Sequence, residues 1–196
     1  MTLTSEYDRL FIDKQSPDAY RSMSAVASAV AGTAKAAGLD PLLVELVNIR
    51  ISQLNGCGFC LDLHVRRAVK NGETPQRLAV LPAWRDVDLF SPTEQAALAL
   101  AEAITMLPDH HTRERERART REQLTDDQFS AISWIAITMN AFNRISVISG
   151  HPVRPRSARL RAARWATRPR PRRRLPSASL PARETCWWRS AWPRSP

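Results

Sequence analysis

The chain has 196 residues, 43% of them hydrophobic, which is enough for one domain with a real core, and no apolar run reaches the roughly eighteen residues that span a bilayer. Its polar start lacks the basic and apolar regions of a signal peptide, so the expected address is cytoplasmic, with no membrane partner. The net charge of +10 would point to nucleic acid, but residues 1–150 carry 16 Lys and Arg against 18 Asp and Glu, while residues 151–196 carry 13 Arg, no Lys and one Glu, so the basicity describes the end of the chain only and no nucleic-acid partner is expected.

Four helix starts share one form, a small polar cap followed by proline, which suits the first turn because its missing N–H has no partner there. Ser16-Pro17 opens a helix that Gly38 stops. Asp40-Pro41 opens the next, whose Leu42, Leu43, Leu46, Val47, Ile49, Ile51 and Leu54 make a stripe broad enough for a core helix, with Asn55 and Gly56 ending it. Thr74-Pro75 and Ser91-Pro92 open two more, and Glu94 gives the second a capping box. Trp84, between Pro82 and Arg85, reads as packing at a helix junction, and His110 and His111 as solvated loop. From Thr112 to Gln123 charges alternate in sign at helical offsets, as a solvated helix face or a loop allows.

A last start at Thr125 to Asp127 leads into Phe129, Ile132, Ile135, Ala136, Met139 and Phe142 at helical spacing. Trp134, Met139 and Phe142 read as core. Asn140, Asn143 and Arg144 are polar in this apolar helix, and a subunit interface, a pocket lining or a solvent stripe would each explain them. His151 is assigned no role. No alternating strand pattern competes, so the fold class is all-α.

The domain is drawn as residues 1–152 and the tail as 153–196. The stretch after Gly150 holds eight of the fourteen prolines and four of the six tryptophans, with no lysine and no glycine. Dense like charge and frequent proline predict a disordered segment. Its composition also fits a GC-rich gene read out of frame, so a frameshift or read-through product is the reading adopted, with a solvated linker or a phosphate-binding arm as alternatives.

The chemistry concentrates in "NGCGFCLDLHVRR", Asn55 to Arg67. Two of the three cysteines lie here and Cys186 lies far away, which argues against a secreted disulfide framework and, in a reducing compartment, points to catalysis or metal. On a helix, Cys57, Cys60 and His64 fall on one face, and the Asn55-Gly56 break puts Cys57 near a helix N-terminus, where unpaired N–H groups favour a thiolate. His64 is placed to exchange a proton with Cys60. Glu45, a carboxylate among apolar neighbours, needs a partner. In an antiparallel pair of helices it reaches the thiol end only through a bend or a neighbouring element.

The spacing of Glu45, Cys57, Cys60 and His64 within "LVELVNIRISQLNGCGFCLDLHVRRAVKNG" resembles the AhpD-like alkylhydroperoxidases of the carboxymuconolactone decarboxylase superfamily, and the likeness runs over roughly residues 15–152. The resemblance implies a helical domain assembled as a homo-trimer or hexamer. It implies a hydroperoxide substrate, Cys60 as the attacking thiol, Cys57 as the thiol that resolves it to a disulfide, and Glu45 with His64 as the proton relay. No bound cofactor is implied; an external dithiol, of lipoyl-carrier type in well-described members, resets the couple. One departure is Phe59, where some members carry histidine between the cysteines. Two rival readings remain: small buried cysteines beside an ordinary histidine, or a zinc or redox module without catalysis, in which two thiolates, imidazole and carboxylate make a tetrahedral set.

Overall fold

The computed structural model describes residues 9–153; the Arg-rich tail, with Cys186, lies outside the described residues. Eight α-helices follow one another: α1 Ile12–Gln15, α2 Pro17–Ala36, α3 Pro41–Leu54, α4 Gly58–Lys70, α5 Pro75–Val80, α6 Pro92–Met106, α7 His110–Arg121 and α8 Asp126–Ser149. A 3-10 segment, Leu81–Asp86, joins α5 to α6, and no strand occurs among the described residues, as an all-α chain requires.

The helix starts follow local chemistry. Asp40 accepts the N–H of Leu42, Thr74 that of Arg77 and Asp109 that of Thr112, while Ser91 with Glu94 and Thr125 with Gln128 form complete capping boxes. Ser16 departs from this: its side chain makes no capping bond, and its backbone N–H closes α1 on the Ile12 carbonyl. His110 and His111 are not loop but the first residues of α7, started by Asp109.

The core divides along α3, which packs against α4, α6 and α8. Leu43, Val47 and Ile51 face one cluster with Cys57, Cys60, Ala97, Leu100, Ile132 and Ala136. Leu46 and Ile49 face a second with Ala68, Leu81, Trp84, Phe90 and Leu98. A helix apolar on most of its circumference can be stable only inside such a sandwich. The alanines of α6 let its backbone approach both neighbours. α8 is the one described helix long and apolar enough to cross a membrane, yet it lies against α2, α3 and α6 with Asn143, Ser146 and Ser149 buried. Trp134 is not core: it is 50% exposed, on the face of α8 opposite the buried Ile135 and Ala136, along with exposed Ile137 and Ile148. Helical spacing identifies a stripe but not how wide the covered part is. Phe142 is packed against the first cluster, in an edge-on contact with Tyr20, and Met139 is buried.

Trp84 sits in the 3-10 segment as a packing residue, its indole N–H donating to Glu102 at 2.9 Å. Arg50 Nε donates to the same carboxylate at 2.6 Å, and Arg85 binds it too. Burial works against the Glu102 charge, but the three donors outweigh it and hold its pKa below the ordinary glutamate value. Such a group supplies stability that is complete above the unfolded glutamate value of about 4.3 and is lost as pH falls through the lower folded value. Glu102→Gln is therefore expected to cost about 1–3 kcal/mol at pH 7 and to flatten the acid limb of a stability-against-pH curve measured by urea denaturation; an acid limb as steep as in the parent would contradict this.

Candidate active site

The turn between α3 and α4 builds the site. Asn55 ends α3 in a helical conformation, and Gly56 takes φ of 65°, a left-handed value that reverses the chain at little steric cost without a side chain. Cys57 is then extended and serves as the N-cap of α4, its sulfur accepting the N–H of Cys60 at 3.3 Å. Cys57 and Cys60 are joined as a disulfide, with Cα atoms 5.4 Å apart, inside the span that such a bond bridges. Both sulfurs thus lie at a helix N-terminus, where the backbone favours negative charge. Both residues are nearly inaccessible in the protomer, 1% and 3% exposed.

His64 follows one turn after Cys60 and is buried; its Nδ1 lies 2.6 Å from Glu45 Oε2. Glu45 finds its partner in His64, one turn beyond the sulfurs. The antiparallel α3–α4 pair sets Glu45 beside His64 rather than beside the sulfurs, and a glutamate side chain spans the gap between adjacent helices. The contact suits a ring whose proton is on Nδ1, the tautomer that leaves Nε2 as the acceptor nitrogen. The structure therefore gathers all four candidate residues into one arrangement: a sulfur pair at the helix start and a carboxylate–imidazole pair one turn on.

A polar network anchors the turn. Asn55 Nδ2 donates to Asn140 Oδ1 and to Asn143 Oδ1, both at 2.9 Å. Asn143, fully buried, donates to Ser52 Oγ at 3.1 Å, and Ser52 donates to the Asn48 carbonyl. Asn140 Nδ2 donates to Thr105 Oγ1 at 3.0 Å and to the Ala136 carbonyl, and Arg144 donates back to Asn140 Oδ1. Asn140, Asn143 and Arg144 thus bond within the chain, tying α8 and α6 to Asn55, two residues before Cys57.

A second group near the motif was not legible in the sequence. The segment after α8 turns at Gly150 and crosses the α4 start: the His151 ring lies 5.2 Å from the Phe59 ring, and Val153 Cγ2 lies 3.7 Å from where a Cβ on Gly58 would stand. Phe11 stacks on His151 at 5.5 Å and 16°. His151 Nε2 is 3.2 Å from Asp13 Oδ1 and its Nδ1 is 3.2 Å from Ser146 Oγ. Burial opposes the Asp13 charge, but bonds from Lys14 and His151 overcome it and keep that carboxyl below the ordinary aspartate value. Asp13 and His151 are 138 positions apart, so no local pattern joins them.

Among the described residues no group of three or more His, Cys, Asp or Glu is arranged to hold a metal; the sulfurs pair with each other and the imidazole with the carboxylate.

The sequence model of the carboxymuconolactone decarboxylase family matches residues 17–103, which include Glu45, Cys57, Cys60 and His64. An uncharacterized Bacillus subtilis (strain 168) protein, YdfG, is 43% identical over 107 residues, 55% of this chain and 73% of its own length. An uncharacterized Escherichia coli (strain K12) protein, YnjA, is 35% identical over 74 residues, 38% of this chain and 41% of its own. A crystal structure from Agrobacterium tumefaciens superposes with a TM-score of 0.66 at 27% identity, covering 74% of this chain and 99% of that one; it is described as a protein of unknown function and a candidate antioxidant defence protein, AhpD.

Asn143→Ala would remove the donor to Ser52 Oγ and one of the two acceptors of Asn55 and leave a small void. The expected loss is about 2–3 kcal/mol in chemical denaturation, with the α3–α4 turn gaining hydrogen exchange; a loss under about 0.5 kcal/mol would show that the network does not hold the turn.

Proposed function

Because the chain belongs to the AhpD-like carboxymuconolactone decarboxylase superfamily, we propose that it is a thiol-dependent peroxidase that reduces hydroperoxides through Cys57 and Cys60. The observation that carries this reading is the pairing of two sulfurs at the start of α4 with a Glu45–His64 pair one turn away. In the reduced protein, His64 takes the Cys60 proton, directly or through one water. The thiolate attacks the distal oxygen of the hydroperoxide, an S–O bond forms as the O–O bond breaks, and the departing alkoxide leaves as the alcohol with the proton that His64 returns. Cys57 then attacks the sulfenic sulfur, and hydroxide leaves as water to give the observed disulfide state. The sum is one hydroperoxide and two thiols converted to one alcohol, one water and one disulfide.

An external dithiol, of the lipoyl-carrier class that the family implies, completes the cycle. Its attack on the Cys60 sulfur expels Cys57, whose sulfur accepts the Cys60 N–H, so the helix start stabilises the leaving thiolate. The homo-trimer or hexamer implied by the family, and a cytoplasmic setting, belong to the same proposal. Muconolactone decarboxylation, the other activity in the superfamily, is associated with members that lack the cysteine pair, and the intact pair weighs against it.

Cys60→Ser is expected to bring peroxide consumption to background, and Cys57→Ser to stop the cycle after one turnover with a sulfenic or mixed-disulfide adduct visible by mass spectrometry. Glu45→Gln is expected to lower kcat/KM by about 100-fold and to displace its pH profile. Sustained multi-turnover activity in Cys60→Ser would defeat the assignment, and a parent protein that cycles between dithiol and disulfide without consuming peroxide would make this a redox module.

A further inference from the structure

Exchange at the Cys60 sulfur expels Cys57 as a thiolate, so Cys57 has to carry charge whenever the disulfide opens. The residue is almost wholly buried, so water gives that charge little support and burial alone disfavours it. What the sulfur does have is the Cys60 N–H at 3.3 Å. That bond depends on Cys57 keeping the extended backbone of a helix cap, φ −83° and ψ 90°. The placement of Cys57 against the end of α3 thus bears directly on how readily the couple opens.

That placement is made by the turn over residues 52–57. The Cys57 N–H closes it on the Ser52 carbonyl at 3.0 Å, and the Asn55 N–H bonds the Ile51 carbonyl at 3.0 Å. Asn143 of α8 spans the turn from outside. Its Oδ1 accepts from Asn55 Nδ2 at 2.9 Å, and its Nδ2 donates to Ser52 Oγ at 3.1 Å. One amide therefore holds both the residue whose carbonyl receives Cys57 and the residue two before Cys57. Ser52 and Asn143 are fully buried, so water is no substitute for the bond between them. A leucine would fill much the same space and hold neither residue; apolar packing does not explain an amide engaged at both ends.

In the oxidised protein the disulfide itself ties Cys57 to Cys60. Once it opens, only hydrogen bonds hold the turn, and the dithiol form depends on them more than the disulfide form does. We infer that Asn143 is a positioning residue for the redox couple: by holding Ser52 and Asn55 together it keeps the Cys57 sulfur on the Cys60 N–H after the disulfide opens, and so favours the dithiol state. This role rests on the reversible Cys57–Cys60 couple of the preceding reading but not on peroxide being its oxidant. A merely structural anchor would support both redox forms equally.

The test equilibrates the full chain with mixtures of reduced and oxidised dithiothreitol. Two electrons pass from the two thiols of the reagent to the Cys57–Cys60 bond, giving two protein thiols and the cyclic disulfide of the reagent. Alkylation and peptide mass spectrometry then count Cys57 and Cys60 separately from Cys186. Asn143→Ala and Asn55→Ala are each expected to lower the dithiol-to-disulfide ratio in a given mixture by about fivefold to tenfold, the worth of roughly one hydrogen bond. By reciprocity, Asn143→Ala should weaken the dithiol form against urea more than the disulfide form, by the same factor. Leu98→Ala, a core change in the second cluster, is expected to move the ratio less than about twofold and controls for general loosening. A shift under about twofold in both Asn143→Ala and Asn55→Ala, or an equal shift in Leu98→Ala, would overturn the inference. If the ratio moves as expected in a protein that consumes no hydroperoxide, Asn143 keeps this role and the peroxidase reading fails; hydroperoxide consumption with unmoved ratios sinks the positioning role alone.

Discussion

One reversal of the chain, Asn55-Gly56-Cys57, decides the geometry of everything that follows it. It turns α4 back along α3, and the antiparallel pairing does two things at once. The first residue after the turn becomes a helix cap whose side chain is a sulfur, so Cys57 sits where backbone N–H groups have no carbonyl to meet. The turn also sets the register in which Glu45 faces His64 across the helix pair. A shift of one residue in the turn would rotate α4 by about 100° and separate the imidazole from its carboxylate.

That reversal is held from outside as well as from within. Asn55 is gripped by Asn140 and Asn143 of α8, and through Asn140 by Thr105 of α6. Buried amides are costly unless every donor and acceptor is matched, and here the matching amides come from the helix that packs across α3. A network of this kind specifies one register among several that apolar packing alone would tolerate. The same helix contributes Ser146 and, past its left-handed Gly150 stop, the His151 that lies on Phe59. α8 therefore touches the cysteine motif twice: it fixes the turn before Cys57 and leads into His151, which meets Phe59.

The apolar sandwich and the polar network have different roles. α3 is stable because it is enclosed by two clusters, and almost any similar set of aliphatic residues would serve. Glu102 with Trp84, Arg50 and Arg85, and Asn143 with its partners, are not interchangeable in that way, since removing one member leaves the others buried and unmatched. The parts of the molecule least tolerant of change are thus the polar ones, and the Asn143 group holds the turn that leads into the sulfur pair.

The starts of α2, α3, α5, α6 and α8, the all-α class, the buried α3 and the placement of Cys57 at a helix head could all be read from the chain, because caps, prolines and a 3.6-residue period act over a few neighbours. The column Cys57, Cys60, His64 was readable for the same reason. The partner of His64 was named but not placed, since the contact depends on the register of two packed helices. The Asn143 bonds, the exposure of Trp134 and the Asp13–His151 pair were beyond sequence reasoning. Each joins or uncovers residues through packing between distant segments, and a chain's local periodicity carries no information about which distant face will arrive to cover it.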